Sequence, residues 1–375
     1  MPSWTAVAFG ALDLRGTELE EQGFELVVVP VHPASPVFLM GAGAEVWRTL
    51  VSADASGLDS DPEAEGILTT LEEMGVATRD PSHPARIEEL GRPWLTSPLH
   101  ELVYALIARV AAQHSIDVFF IKGPTLHAQG LRDREHSGDV DCWVRPGDDL
   151  RLAQAMREWG WTPLLSPFTG TGVTHSLTLA AGEWGCAIDV HTRYPGIDVD
   201  RGEAFDAVLA ESEPRVFAGT VCATPRRAAH GIIAALHSVR PFIGTPAGEP
   251  HFEEAASVLV AAGPETVEMA ERLNAVYALE APLQRAFPDL DLAYPDARPP
   301  ADWAWRLTGS APHRHLRALR TVPLRQRPAV LGRLIWPSSE VLRAAGEEPS
   351  ASWASRSLSR VRRVLSAAVT LARRP

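Results

Sequence analysis

Hydrophobic periodicity divides the chain into a small N-terminal part, a mixed central part and a helical C-terminal part. Near the N-terminus, two runs rich in strand-forming residues, FELVVVPV at 24–31 and PVFLMG at 36–41, predict a β-hairpin. Apolar residues with helical spacing follow at 44–51 and 65–80. A linker-like stretch rich in proline and charge then separates this region from the next, which places a first domain at 1–95.

The central region alternates helix and strand patterns. An amphipathic helix is predicted at 97–115, with Ser97 as its N-cap. Apolar runs predict four strands, at 116–123, 139–144, 174–180 and 186–194. This order favours an α+β fold with a sheet domain at 96–200. From 203 onward the pattern is mainly helical, which gives a helical C-terminal region at 201–375.

Composition excludes several classes of protein. With 45% hydrophobic and 22% charged residues, the 375-residue chain is expected to bury a core. No run of 18 apolar residues occurs, so no membrane span is expected. The N-terminus lacks a signal-peptide pattern. Three cysteines without a CxxC pair argue against a disulfide framework and a structural zinc site, so a cytoplasmic location is predicted.

Charge is distributed unevenly along the chain. The net charge is −12, yet residues 301–375 carry +10, which leaves −22 on residues 1–300. We expect the basic tail to pack on the acidic body; the alternative is a surface for a nucleotide, a nucleic acid or anionic lipid. Of the 35 basic residues 34 are arginine, and the single lysine is Lys122.

Two acidic residues in the predicted strand 139–144 indicate a metal site. Asp139 and Asp141 occupy alternate positions, so both side chains project from one face of the strand. Carboxylates this close repel each other, and a divalent cation allows both to remain ionised. Asp189, within an apolar strand pattern, offers a third carboxylate where an unpaired acid would be costly. Mg²⁺, an oxygen-binding ion, suits this set.

The turn that precedes this strand has the composition of a phosphate-binding turn. Lys122 and Gly123 end the apolar run IDVFFIKG and precede a predicted short helix. Glycine lets the backbone approach a triphosphate closely, and the start of a helix offers N–H donors. Together with three strand carboxylates, this turn indicates transfer of a nucleotidyl group from a triphosphate.

The stretch 119–148 and the strand that follows it resemble nucleotidyltransferases of the DNA polymerase β superfamily. More closely, residues 96–375 resemble its bacterial branch of uncharacterised nucleotidyltransferases. The matching features are Lys122-Gly123, Leu126, Arg132 or Arg134, Asp139-Val140-Asp141, and Ile188-Asp189-Val190-His191. Two later stretches, ALHSVRP at 235–241 and RLIWPSSEVLR at 333–343, are also similar to that branch.

The resemblance implies a role for each matching residue. Asp139 and Asp141 would bind two Mg²⁺ or Mn²⁺ ions, and Asp189 would bind the catalytic metal and help to deprotonate the acceptor. The triphosphate of ATP, or of another nucleotide, would contact a second group of residues: Lys122, Gly123, Arg134 and Ser137. Arg132 is the alternative to Arg134. His191 is a candidate contact for the substrate.

The N-terminal 80 residues resemble PqqD-like domains, which are small winged-helix modules of peptide-modifying pathways. The matching features are the early hairpin, LMGAGAEVWRTL at 39–50 and LEEMGVATRD at 71–80. Together the two resemblances predict transfer of AMP from ATP to a hydroxyl or phosphate of a peptide or natural-product acceptor. Nucleic acid is not expected as a partner. The alternatives are a non-catalytic recognition or scaffold protein, and an antitoxin-like enzyme that modifies a partner protein.

Overall fold

A computed structural model describes residues 4–52, 62–135, 138–290, 292–344, 346 and 353–372. Its fold is α+β, as predicted. The N-terminal elements are β1 (Thr5–Ala6), β2 (Gly10–Asp13), α1 (Glu18–Glu21), β3 (Leu26–Val29), β4 (Val37–Leu39), α2 (Gly41–Val51), α3 (Pro62–Glu73) and β5 (Ala77–Thr78). Strands β2, β3 and β4 form an antiparallel sheet, and β1 pairs with β5. The pairing of β3 with β4 confirms the predicted hairpin.

The central part of the chain forms a five-stranded sheet flanked by helices. Its elements are α4 (Pro98–Gln113), β6 (Val118–Phe120), α5 (Gly123–Ala128), β7 (Asp139–Val144), α6 (Asp148–Arg157), β8 (Thr162–Pro163), β9 (Ser176–Ala180) and β10 (Ala187–His191). The strand order is β6-β7-β10-β9-β8, and β7 and β10 are parallel while the other pairs are antiparallel. All four predicted strands are present. The Ser97 hydroxyl accepts a hydrogen bond from the His100 N–H (3.4 Å), so Ser97 caps α4 as predicted.

The two faces of β7 have different surroundings because successive side chains alternate across a strand. Val140, Cys142 and Val144 belong to the core that contains α4 and α6. Trp143, on the opposite face, belongs to a second core formed with the C-terminal helices. Asp139 and Asp141 have the same parity as Trp143, so they lie on the face that the C-terminal helices approach.

A β-hairpin and ten helices make up the C-terminal part of the described chain. The elements are α7 (Arg201–Ala210), β11 (Ser212–Phe217), β12 (Thr220–Pro225), α8 (Arg227–Val239), α9 (Glu249–Ala262), α10 (Glu265–Arg272), α11 (Val276–Ala286), α12 (Ala301–Arg306), α13 (Ala311–Thr321), α14 (Arg327–Ile335), α15 (Ser339–Ala344) and α16 (Trp353–Ala372). Among these residues no helix combines the length and apolar character that a membrane crossing requires.

The β11–β12 hairpin differs from the helical pattern expected beyond residue 203. Its strands pair over six positions, from Ser212 opposite Pro225 to Phe217 opposite Thr220. The exposed positions of β11 are Pro214 and Val216, whereas its polar and charged residues are half-buried, so the segment shows little of the alternation of buried apolar and exposed polar residues that identifies a strand. Tertiary contacts stabilise the hairpin, because the Phe217 ring stacks on the buried ring of Tyr104 (centroids 4.4 Å apart).

The N-terminal elements share a core with the central part. Phe9, Leu12 and Val29 lie in the same buried cluster as the apolar face of α4. The buried carboxylate of Glu101 also joins the regions, since it accepts hydrogen bonds from the backbone N–H groups of Trp94 (2.7 Å), Leu95 (3.1 Å) and Ala218 (2.9 Å). The segment that leads into α4 is therefore fixed to both the helix and the β11–β12 turn.

Candidate functional site

Asp141 is the central carboxylate of the site. It is 2% exposed, and its Oδ1 accepts hydrogen bonds from Lys122 Nζ (2.6 Å) and His191 Nε2 (2.8 Å). Burial alone would raise the pKa of Asp141, but the His191 hydrogen bond and the Lys122 charge hold it well below its usual value. Asp141 is thus a carboxylate at neutral pH, and two side chains that were predicted separately converge on it.

Strand register brings Asp189 to the same place. β7 and β10 pair in parallel with Asp141 opposite Asp189, so both side chains lie on one face. The Thr178 hydroxyl, on the next strand, donates to Asp189 Oδ1 (2.5 Å). Potential ligand atoms of Asp141, Asp189 and His191 all lie within 4.8 Å of one another. The half-buried Asp189 is therefore part of a compact donor group.

This donor group fits a divalent cation. Two carboxylates and one imidazole are ligands that Mn²⁺ accepts, and the two carboxylates alone suit Mg²⁺ with water or phosphate completing its shell. Asp139 lies two residues before Asp141 on the same face of β7. It pairs with Ala187 on β10 and is half-buried. The structure thus places all three predicted carboxylates on one face, while the tightest described group contains His191 in place of Asp139.

The turn at Lys122 and Gly123 has an unusual backbone. Lys122 has φ 59° and ψ −137°, and Gly123 has φ 53°, a region that favours glycine. A side chain at Gly123 would also collide with the buried Tyr104, whose Oη lies 2.4 Å from the Cβ position. Strain of this kind typically costs about 1–3 kcal/mol at a non-glycine residue, so the surrounding structure must hold Lys122 in place.

His230 on α8 holds the turn through a chain of hydrogen bonds. The Lys122 backbone N–H donates to His230 Nε2 (2.6 Å), so Nδ1 carries the proton and donates to Gln129 Oε1 (2.8 Å). The Gln129 amide donates in turn to the Pro225 carbonyl (2.9 Å). Burial, with Arg132 nearby, lowers the pKa of His230 to about 3, which keeps the ring neutral. Since this N–H is engaged, Lys122 can contact a phosphate only through its ammonium, which also donates to Asp141.

The two candidate arginines have different surroundings. Arg132 Nη2 donates to the carbonyls of Gly123 (3.0 Å) and Glu135 (3.0 Å), and its Nε donates to the Arg134 carbonyl (2.9 Å). Arg132 thus ties the Lys122 turn to the loop before β7. The Arg134 side chain is exposed at the cleft. Ser137, predicted to bind the nucleotide, lies outside the described residues.

One cleft of about 1020 Å³ lies between the sheet and helices α8 and α9, and five of the predicted side chains line it: Lys122, Arg132, Arg134, Asp139 and Asp141. Its charged lining residues are four bases and four acids: Lys122, Arg132, Arg134, Arg240, Asp133, Asp139, Asp141 and Glu254. Such a mixture suits a complex that carries both signs of charge, as a metal-bound polyphosphate does, better than a bare cation or a bare polyanion.

Sequence reasoning missed several residues of the site. His230 lies on the predicted helix 227–239, but its apolar neighbours suggest only a core position. Thr178, Gln129 and Tyr104 reach the site through tertiary packing, and no local pattern identifies them. Arg240 lies in ALHSVRP, a stretch that the polymerase β-like resemblance includes, and that motif could have indicated it.

Comparisons with known proteins give little further information. No family of protein sequences matches this chain, and neither does any curated protein. A solved structure of the antibiotic-resistance factor ANT(2'')-Ia, an aminoglycoside nucleotidyltransferase, is similar over 52% of this chain and 96% of its own. The sequence identity is 14% and the TM-score is 0.32. At these values the likeness establishes neither a family nor an activity.

Proposed function

We propose that the protein is a metal-dependent nucleotidyltransferase. The observation that carries the proposal is the pairing of Asp141 with Asp189 on parallel strands, beside a cleft that also holds Lys122 and Arg240. A metal-bound nucleoside triphosphate needs carboxylates for the metal and cations for the phosphates, and this cleft supplies both. The same face carries Asp139, so three acids are available where transfer chemistry would need them.

The roles follow from the geometry of each side chain. Asp141 and Asp189, with Asp139 or His191, would hold the cation, which when bound supplies charge neutralisation at the phosphates. Lys122 and Arg240 would bind phosphate oxygens, and Arg134 would add a contact from the exposed edge. The half-buried Asp189 would accept a proton from the acceptor, and Thr178 orients this carboxylate. We infer that an oxygen of a hydroxyl or phosphate acceptor attacks the α-phosphorus of ATP, so that AMP is transferred to the acceptor and pyrophosphate leaves.

The chemical class of the acceptor is inferred only from the resemblance of the N-terminal region to PqqD-like domains. If the PqqD-like prediction for residues 1–95 holds, the acceptor is a peptide or another natural-product intermediate. The domain boundaries at 95 and 200 and a cytoplasmic location belong to the same proposal. A role as an antitoxin-like enzyme would differ only in the acceptor, which would be a partner protein.

A scaffold without catalytic activity is the second candidate. It is favoured by one observation, namely that Asp141 already has an ion-pair partner, Lys122, and a hydrogen-bond donor, His191, inside the protein. A structural ion pair would have the same geometry. The two functions differ in one property, since only the transferase requires binding of metal and nucleotide.

The test is to incubate the full chain with MgCl₂ or MnCl₂, α-labelled ATP and candidate acceptors, among them the chain itself. Label transfer is expected for the unmodified protein and is expected to fall at least a hundredfold in Asp139→Asn and Asp141→Asn, because the cation loses a charged ligand. Asp289→Asn, at an exposed position outside the cleft, is the matched control. Equal labelling by all variants would refute the assigned site, and absence of Mg·ATP binding in calorimetry would favour the scaffold.

A further inference from the structure

The wall of the cleft that α9 contributes has a different chemistry from the carboxylate region. Five residues of α9 line it at helical spacing, in one stripe about 15 Å long at 1.5 Å per residue: His251, Glu254, Ser257, Val258 and Ala261. Part of this wall is apolar, because Val258 and Ala261 pack beside a buried cluster formed by residues of α5, α8, α9 and the loop after α5. An elongated ligand could therefore extend from the carboxylates along this helix.

Phe242 also lines the cleft, and more than half of its side chain is exposed to solvent. It is 56% exposed, and the one aromatic contact recorded for it among the described residues is with the tilted ring of His251 (centroids 5.6 Å apart, planes at 60°). Exposing a phenylalanine ring to water costs free energy that a ligand could recover. The open ring face is therefore available for stacking.

The position of Phe242 relative to the cations fits the shape of a nucleotide. Arg240, two residues earlier, also lines the cleft, and its charge acts on both Lys122 and Tyr194. Two residues span at most about 7 Å between their Cα atoms, so Phe242 and the proposed phosphate contact Arg240 enter the same cleft from neighbouring points of the chain. Glu254, one helical turn from His251, offers an exposed carboxylate as a hydrogen-bond acceptor on the same wall.

We propose that this wall is the nucleobase subsite of the cleft, with the base stacked on Phe242 and its exocyclic amino group donating to Glu254. The inference rests on the proposed function, because it assigns the base of the nucleotide whose phosphates bind Lys122 and Arg240. Bases that carry an amino group bind in preference to uracil, which presents no such group to Glu254. Base–aromatic stacking is tolerant of base identity, so Glu254 carries the preference.

Isothermal titration of the full chain in MgCl₂ separates the subsite from the phosphate site. The two ligands are ATP and inorganic tripolyphosphate, which shares the phosphates and lacks the base. Phe242→Ala is expected to raise the Kd of ATP roughly tenfold, a typical effect of losing one stacking contact, and to leave the Kd of tripolyphosphate unchanged. Ile243→Ala, at a neighbouring residue that is 62% exposed and does not line the cleft, is the matched control.

Two further variants sharpen the test. Phe242→Trp keeps an aromatic face and is expected to bind ATP at least as tightly as the unmodified protein. Glu254→Gln is expected to reduce the preference of the protein for ATP over UTP. Because Phe242 and Glu254 are both exposed, these variants should keep the circular-dichroism spectrum of the folded chain.

Each unfavourable result has a distinct meaning. If the unmodified chain binds neither ATP nor tripolyphosphate, the proposed function fails, and the subsite fails with it. If it binds both and Phe242→Ala binds ATP unchanged, the subsite alone is wrong. A parallel loss of ATP and tripolyphosphate affinity in Phe242→Ala would also overturn the subsite, since the ring would then support the phosphate region rather than the base.

Discussion

Replacing His230 by phenylalanine tests whether this histidine holds the strained Lys122 turn. The substitution keeps an aromatic ring in the buried space, but it removes the acceptor of the Lys122 N–H and the donor to Gln129. A buried polar group left without a partner costs about 1–3 kcal/mol. The variant leaves two such groups, the Lys122 N–H and Gln129 Oε1, so the free energy of unfolding should fall by about 2–6 kcal/mol at pH 7.

The pH dependence gives a second, independent readout. The pKa of His230 falls from 6.5 in the unfolded chain to about 3 in the folded protein, so the folded state favours the neutral ring. The resulting stability is present above pH 6.5 and is lost as the pH falls toward 3. Between pH 7 and pH 5 this single group accounts for a loss of about 2 kcal/mol.

Urea titrations at pH 7 and pH 5, followed by circular dichroism, measure both effects. The loss on acidification is expected to be about 2 kcal/mol smaller in His230→Phe than in the unmodified protein. His175 and His237 also have lowered pKa values, but they are present in both proteins and cancel in this difference. His114→Phe, at an exposed histidine, is the control. Identical acid losses in His230→Phe and the unmodified protein would refute the assigned role.

Three further predictions concern the turn, the metal ligands and the thiols. Gly123→Ala should lower the free energy of unfolding by about 2–4 kcal/mol, because the new Cβ meets Tyr104 Oη at a positive φ, and Tyr104→Phe in the same chain should recover part of this loss. Thr178→Val should weaken Mn²⁺ binding in calorimetry about tenfold, because Asp189 loses its orienting donor. The cysteine thiols should resist a disulfide reagent at pH 8 in the folded chain, because burial raises the pKa of every one of them: Cys142, Cys186 and Cys222.

Each of these predictions has its own control. A Gly123→Ala variant as stable as the unmodified chain would mean that the turn is not constrained as described. Thr178→Ser, which keeps the hydroxyl, should bind Mn²⁺ normally; if it weakens binding as much as valine does, the hydroxyl is not the relevant group. Thiol titration should return three groups after unfolding in guanidinium, and a fast-reacting thiol before unfolding would contradict the burial.

Local sequence patterns predicted the strands of the site well, because alternation along a strand is a local property. Asp139 and Asp141 were assigned to one face from their spacing, and the structure places them on the face opposite Val140 and Cys142. The position of Asp189 could be narrowed to a strand. The register that places Asp189 opposite Asp141 could not be predicted, because it depends on how two segments distant in the sequence pair with each other.

The contacts that hold the Lys122 turn lie beyond sequence reasoning for a different reason. Lys122 and His230 are 108 residues apart, and their hydrogen bond exists only because α8 packs against the sheet. Lysine rarely adopts a positive φ, so its local sequence gives no indication of this backbone. His191, predicted as a substrate contact, hydrogen-bonds to Asp141 for the same tertiary reason.

The buried carboxylate of Glu101 has a consequence for how an acceptor would reach the cleft. The segment before α4 has the composition of a linker, but the Glu101 carboxylate accepts hydrogen bonds from the backbone of Trp94 and Leu95 and so holds the end of this segment against the helix. Because Phe9 and Leu12 also lie in the central core, the N-terminal part cannot work as a swinging arm. Any cargo carried there would have to span a fixed distance to the carboxylates, so the length of a peptide acceptor, rather than only its sequence, would decide which of its residues is modified.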